Sequence, residues 1–117
     1  MTENPYLTAG NHAIPIRHIF ELYNAHKRLL ALGRQGINPE KKRMTQVISY
    51  NYIVDQTMAM CSQNTRMIIR NEFMVPMEDK HWYEAYWTRS TYDRRRKKAY
   101  IEFLTILHQV ANPDSIL

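Results

Sequence analysis

Glycine and cysteine are scarce in this chain: three glycines and a single cysteine, Cys61, in 117 residues. A lone thiol excludes an internal disulfide framework, and a helical or strand-rich interior has few points at which to turn tightly. The five histidines, at positions 12, 18, 26, 81 and 108, are never three or four apart, so no metal site is expected. No apolar run approaches the roughly 18 residues that cross a bilayer. Residues 1–10 are polar and lack the charged-then-apolar order of a secretory signal, which leads us to expect a cytoplasmic protein without a membrane partner. Paired carboxylates, a glycine-rich phosphate loop and a nucleophile beside a base are also missing. The expectation is a non-enzymatic chain with no catalytic residues and no cofactor.

What is present is charge, unevenly placed. The chain carries 16 Lys and Arg against 11 Asp and Glu, for a net charge of +5. Residues 89–98, RSTYDRRRKK, hold six of those cations and one acid, and the ten cations and ten acids elsewhere cancel. An even scatter would mean only a soluble basic protein. Gathered into ten residues, the surplus makes a local positive field suited to a polyanion.

The apolar pattern is helical throughout, with no period-2 alternation that would mark a strand. Pro15 is placed to open a helix over 15–32, with Ile16, Ile19, Phe20, Tyr23 and Leu30 on one stripe and Leu22, Leu29 and Leu32 widening it. Gly33, Gly36, Asn38 and Pro39, followed by Lys41, Lys42 and Arg43, predict a loop over 33–43. A second helix over 45–61, capped by Thr45, carries Val47, Asn51, Val54, Met58 and Cys61, with Ile48, Ile53 and Met60 broadening the face. A third is expected over 64–73, ended by Pro76. Over 79–87 the rings Trp82, Tyr83, Tyr86 and Trp87 fit two helical turns that act as a core wedge, with Tyr83 or Tyr86 left at the surface. Thr88 is the N-cap candidate for the last helix, 89–110, with Ser90 competing. The fold class is all-α: a small helical bundle, divided into an N-terminal helix and basic hinge over 1–43 and a DNA-binding unit over 44–117.

The last helix has the division of labour that a groove-reading helix needs. Its first half supplies cations and short hydroxyls, and its second half, AYIEFLTIL, is mostly apolar. At 3.6 residues per turn, Arg89, Ser90, Asp93, Arg94 and Lys97 share a side turned from Tyr92, Ala99 and Phe103. Arginine can fork onto the two acceptors of guanine, while lysine mostly neutralises phosphate. Arg95 and Arg96 fall near the inward stripe, so one of them is expected to snorkel to its edge.

The segment WTRSTYDRRRKKAYIEFL resembles the recognition-helix end of regulators similar to region 4 of bacterial sigma factors. It is similar in particular to phage and mobile-element regulators of the ArpU and RinA kind, whose motif runs S-x-S-T-Y-Y-R-x-K-x-K-A. Thr88, Ser90, Thr91, Tyr92, Lys98 and Ala99 are the matching positions, and the resemblance covers residues 45–110, most strongly 87–104. It departs where such turns usually carry glycine, since Tyr86-Trp87 stands there. The resemblance implies a helix-turn-helix that places the last helix in the major groove of promoter DNA. It also implies base-edge roles for Arg89, Ser90, Asp93 and Arg94 and phosphate roles for Lys97 and Lys98; Thr91 and Arg95 complete the candidate set. The expected function is a sequence-specific, double-stranded-DNA-binding transcription regulator of phage or mobile-element genes. RNA polymerase and a second copy of the chain are further candidate partners. The competing expectation is a helical interaction adaptor attached to a nucleic-acid machine.

Overall fold

The computed structural model describes residues 11–34 and 40–112, and helical segments occupy most of them. Helix α1 spans Ala13–Arg34, α2 Lys41–Met60, α3 Gln63–Ile69 and α4 Arg89–Ala111. A π-turn, Arg70–Met74, prolongs α3, and a single 3-10 turn, Trp82–Ala85, precedes α4. No strand occurs among the described residues, so the all-α bundle stands. No helix among them is long and apolar enough to cross a membrane.

Helix α1 begins two residues earlier than the sequence suggests, because the Asn11 carboxamide oxygen accepts the Ala13 N–H at 3.0 Å. Pro15 then falls in the first turn, where an N–H is not needed. The buried face is narrow: Ile16, Ile19, Phe20 and Tyr23. Leu22 and Leu32, expected to widen it, stay exposed. The Phe20 and Phe103 rings meet at 5.5 Å, tying α1 to α4. Against α2 the lock is polar. Tyr23 donates its hydroxyl to Asp55 at 2.6 Å, and buried Asn51 donates to the Tyr23 carbonyl at 3.1 Å. The other side of that amide faces the His26 ring at 3.0 Å. A buried amide is tolerated only with its donors and acceptor engaged in this way.

The expected loop over 33–43 is shorter at both ends, since Gly33 lies in the last turn of α1. Residues 35–39 lie outside the described part, but Lys41, Lys42 and Arg43 form the first turn of α2 with their side chains in solvent. Lysine and arginine are good helix formers, and their propensity outweighs the unfavourable helix dipole at this end. Thr45 does not cap; its hydroxyl donates back to the Lys41 carbonyl at 3.1 Å. Val47, Asn51, Val54, Met58 and Cys61 are buried as their spacing predicts, whereas Ile48 and Met60 face solvent.

The chain leaves α2 through Cys61 in an extended conformation, and Glu102 of α4 fastens the start of α3. Its carboxylate accepts the Ser62 N–H at 2.6 Å, the Ser62 hydroxyl at 3.0 Å and the Thr65 hydroxyl at 2.8 Å. Burial alone would raise its pKa. The Ser62 N–H, the Thr65 and Ser62 hydroxyls and the Arg66 charge outweigh that and hold the carboxyl below its ordinary value. Cys61, beside it, is pushed up to about 12 by burial and by the Glu102 charge, so the thiol is inert at neutral pH.

Where a third α-helix is expected over 64–73, α3 stops at Ile69 and one wider turn succeeds it. The Val75 N–H reaches the Arg70 carbonyl at 2.8 Å, the i→i+5 bond of a π-turn. That turn buries Phe73 in the common core with Ile68 and Ile69 and holds Glu72 against α4.

Candidate nucleic-acid interface

Helix α4 starts as its sequence suggests. Thr88 is the N-cap, its hydroxyl accepting the Thr91 N–H at 3.3 Å, and Ser90 is exposed within the first turn. The Thr88 hydroxyl also donates to that of Thr91 at 3.0 Å, so the side chain of Thr91 is engaged with the cap.

The ring-rich segment before it is not two helical turns but one 3-10 turn with a kinked exit. The cause is Tyr92, around which the rings arrange themselves. Tyr83 stacks parallel to it with centroids 4.0 Å apart, Trp87 lies parallel at 6.4 Å, and Trp82 meets it edge-on at 5.6 Å. A continuous helix would hold Trp82, Tyr83 and Trp87 in a fixed rotational relation that does not bring all three to one target. Tyr86 is the exposed ring, while Tyr83 is buried.

Tyr92 is held from the far side as well. Its hydroxyl and that of Tyr100 donate to the two oxygens of Glu72, and Arg96 closes the group with an ion pair to Glu72 at 3.4 Å. Arg96 also lies over the Tyr92 and Tyr100 rings. Burial first, then the Glu72 hydrogen bonds, raise both tyrosines well above the ordinary phenol value, so they are donors and never phenolates in the working range. Of the two arginines near the inward stripe, Arg96 is therefore the anchored one. Arg95 stays exposed, its guanidinium over the Trp87 ring at 5.6 Å.

The remaining candidates divide into two ridges where the sequence reading has one side. Ser90, Arg94 and Lys98, four apart, form one exposed ridge. Arg94 reaches the Thr91 hydroxyl at 3.5 Å. Arg89, Asp93 and Lys97, also four apart, form the next ridge and border a crevice with Arg96, Tyr100 and the Asn11–His12 stretch just before α1. Asp93 pairs with Arg89 at 3.4 Å and approaches Arg96 at 4.0 Å. The Tyr83 hydroxyl, and after it Asp93, favour the charged form of Arg89. Among the described residues no ion pair involves Arg94, Arg95, Lys97 or Lys98. Four cations thus stand in solvent within five residues, on a helix whose rear half is packed.

Sequence reasoning does not reach Glu72, Arg17 or Lys80, which border a second concavity that shares Arg89, Arg96 and Tyr100 with the first. Glu72 and its tyrosines are 20 and 28 residues apart, with no local pattern to join them. Comparison with family models, curated proteins and solved structures finds no match for the chain.

Proposed function

We propose that the protein is a sequence-specific regulator that binds double-stranded DNA, in the manner of the phage and mobile-element regulators its last helix resembles. In this reading the 3-10 turn Trp82–Ala85 and α4 make a shortened helix-turn-helix. The first half of α4 enters the major groove, with Ser90 and Arg94 at base edges and Arg95, Lys97 and Lys98 along the phosphates. Arg89, Thr91 and Asp93 then act at the rim: Thr91 through the cap, Arg89 toward the flanking backbone, and Asp93 by orienting Arg89 through their ion pair. RNA polymerase and a second copy of the chain remain the further partners of this proposal.

The observation that carries it is the run of exposed, carboxylate-free cations at Arg94, Arg95, Lys97 and Lys98. Like charges so close repel one another, and a polyanion relieves that repulsion while releasing counterions. The test is fluorescence anisotropy with duplexes recovered by selection from random sequence, read at several salt concentrations. Four to five neutralised phosphates give a log–log slope of roughly −4. No enrichment in the selection together with a slope near zero would overturn the proposal. The adaptor reading draws on the exposed Ile48 and Tyr52, one turn apart on α2, and it takes over in that event.

A further inference from the structure

The start of α1, the π-turn, the segment before the 3-10 turn and the head of α4 border an open pocket of about 360 Å³. Arg17 reaches it from α1, Lys80 from the connecting segment, and Arg89 and Arg96 from α4. Its one carboxylate, Glu72, is already occupied by Tyr92, Tyr100 and Arg96. Arg89 shares its charge with Asp93 at the margin. Among the described residues no ion pair involves Arg17 or Lys80, although the Lys80 ammonium donates to the Met77 carbonyl at 2.9 Å. On a solvated face, cations diverge into water. Here Arg17, Lys80 and Arg89 border one concave space from three segments, and like charges around one concavity favour an anion there.

We infer that this crevice seats a phosphate group, held by Arg17, Lys80 and Arg89 above the Glu72–tyrosine floor. A tetrahedral dianion or a phosphodiester presents acceptors in several directions, which matches donors that arrive from several elements, and arginine forks suit it in particular. Arg96 stays with Glu72 and fixes the floor. The phosphate has two sources. In a duplex backbone it flanks the groove that α4 reads, and that version rests on the regulator reading above; in a free phosphorylated compound it does not. Either way, occupancy would sit directly against Arg89, the first residue of α4, and tie the position of α1 to that of the reading helix.

The test uses the full chain and the double variant Arg17→Ala, Lys80→Ala, both side chains being exposed so that the fold is retained. Duplex binding is followed by anisotropy across a salt series, and pyrophosphate is titrated while the arginine side-chain N–H signals are followed by NMR. For a backbone phosphate, the variant loses about tenfold in affinity on every duplex, and the salt slope falls by about one. The exchange Arg17→Lys, Lys80→Arg keeps that slope. If the wild type ignores DNA yet pyrophosphate shifts the arginine signals saturably, and the double variant abolishes this, the crevice stands and the regulator reading falls. If Lys97→Ala, Lys98→Ala weakens DNA binding while the Arg17, Lys80 variant changes neither affinity nor slope, and pyrophosphate shifts nothing, the crevice inference is overturned and the regulator reading survives. Absence of both DNA and pyrophosphate binding overturns both.

Discussion

The two halves of α4 obey one helical geometry and live in different surroundings. Over residues 99–111 the inward positions Ala99, Tyr100, Phe103, Leu104 and Leu107 are all buried against α1, α2 and α3. Over residues 89–98 only Tyr92 is buried. A 23-residue helix of this kind is a rod clamped at the rear, and its front projects because the rear is fixed. Fixing the rear in the core lets the front carry six cations while only Tyr92 packs inward, against Trp82, Tyr83 and Trp87. Arg96 and Tyr92 tether the front, both through one carboxylate on the π-turn and Tyr92 also through the rings before α4.

On this division, damage to the rear is a stability event. Phe103 is fully buried and its ring meets Phe20, so Phe103→Ala should cost about 3–5 kcal/mol, read as a lower urea midpoint. At temperatures where the variant is still folded, the salt slope for DNA should not change. A changed slope would mean that the rear contributes to the interface and that the halves are not separable.

Glu72→Ala probes the tether between them. It leaves the Tyr92 and Tyr100 hydroxyls and the Arg96 guanidinium without their acceptor, which should cost about 2 kcal/mol. Hydrogen exchange should then quicken at amides 89–96 and remain slow at 103–107. Uniform acceleration along the whole helix would show that Glu72 supports the bundle rather than its projecting end.

Much of α4 is legible in the sequence because its determinants are local. Thr88 announces the cap, and Tyr92, Ala99, Phe103 and Leu107 repeat at helical spacing, so the helix and its inner stripe are readable directly. The 79–87 segment is misread for the opposite reason. Four large rings satisfy a helical template equally well, and only Tyr92, met across the turn, selects the 3-10 geometry. Lys41, Lys42 and Arg43 look like a hinge because Gly36, Asn38 and Pro39 stand before them, yet their own propensity is helical. Glu72, Arg17 and Lys80 carry no signal at all, since an isolated charge gains meaning only from what the fold places opposite it.

Glu102 supplies a third contrast, between the carboxylates of the two halves. Asp93 at the front pairs with arginines in solvent, whereas Glu102 at the rear caps α3 through Ser62 and Thr65. Its folded pKa lies below the unfolded value, because its hydrogen bonds and Arg66 outweigh the burial that would raise it. Its contribution is therefore present in full above the unfolded carboxylate value near 4.3 and is lost as pH falls through the folded value. Glu102→Gln should lower stability by about 1 kcal/mol at pH 7 and by less as the pH is lowered toward 2, measured by urea unfolding at each pH. An equal loss at both values would assign the effect to packing.

The smallest expected change in stability is at the front. Lys97 and Lys98 are exposed and belong to none of the ion pairs found among the described residues, so Lys97→Ala, Lys98→Ala should shift the urea midpoint by less than about 0.5 kcal/mol. Binding should nevertheless weaken on all duplexes alike, with the salt slope falling by about two, because phosphate contacts carry no sequence information. Arg94→Ala separates the two kinds of contact on the same ridge. A fork onto a base edge predicts a loss of about 1–3 kcal/mol on the selected site alone, with little change on unrelated duplexes. Equal losses on every duplex would move Arg94 to the backbone and leave specificity to Ser90 and the shape of the DNA.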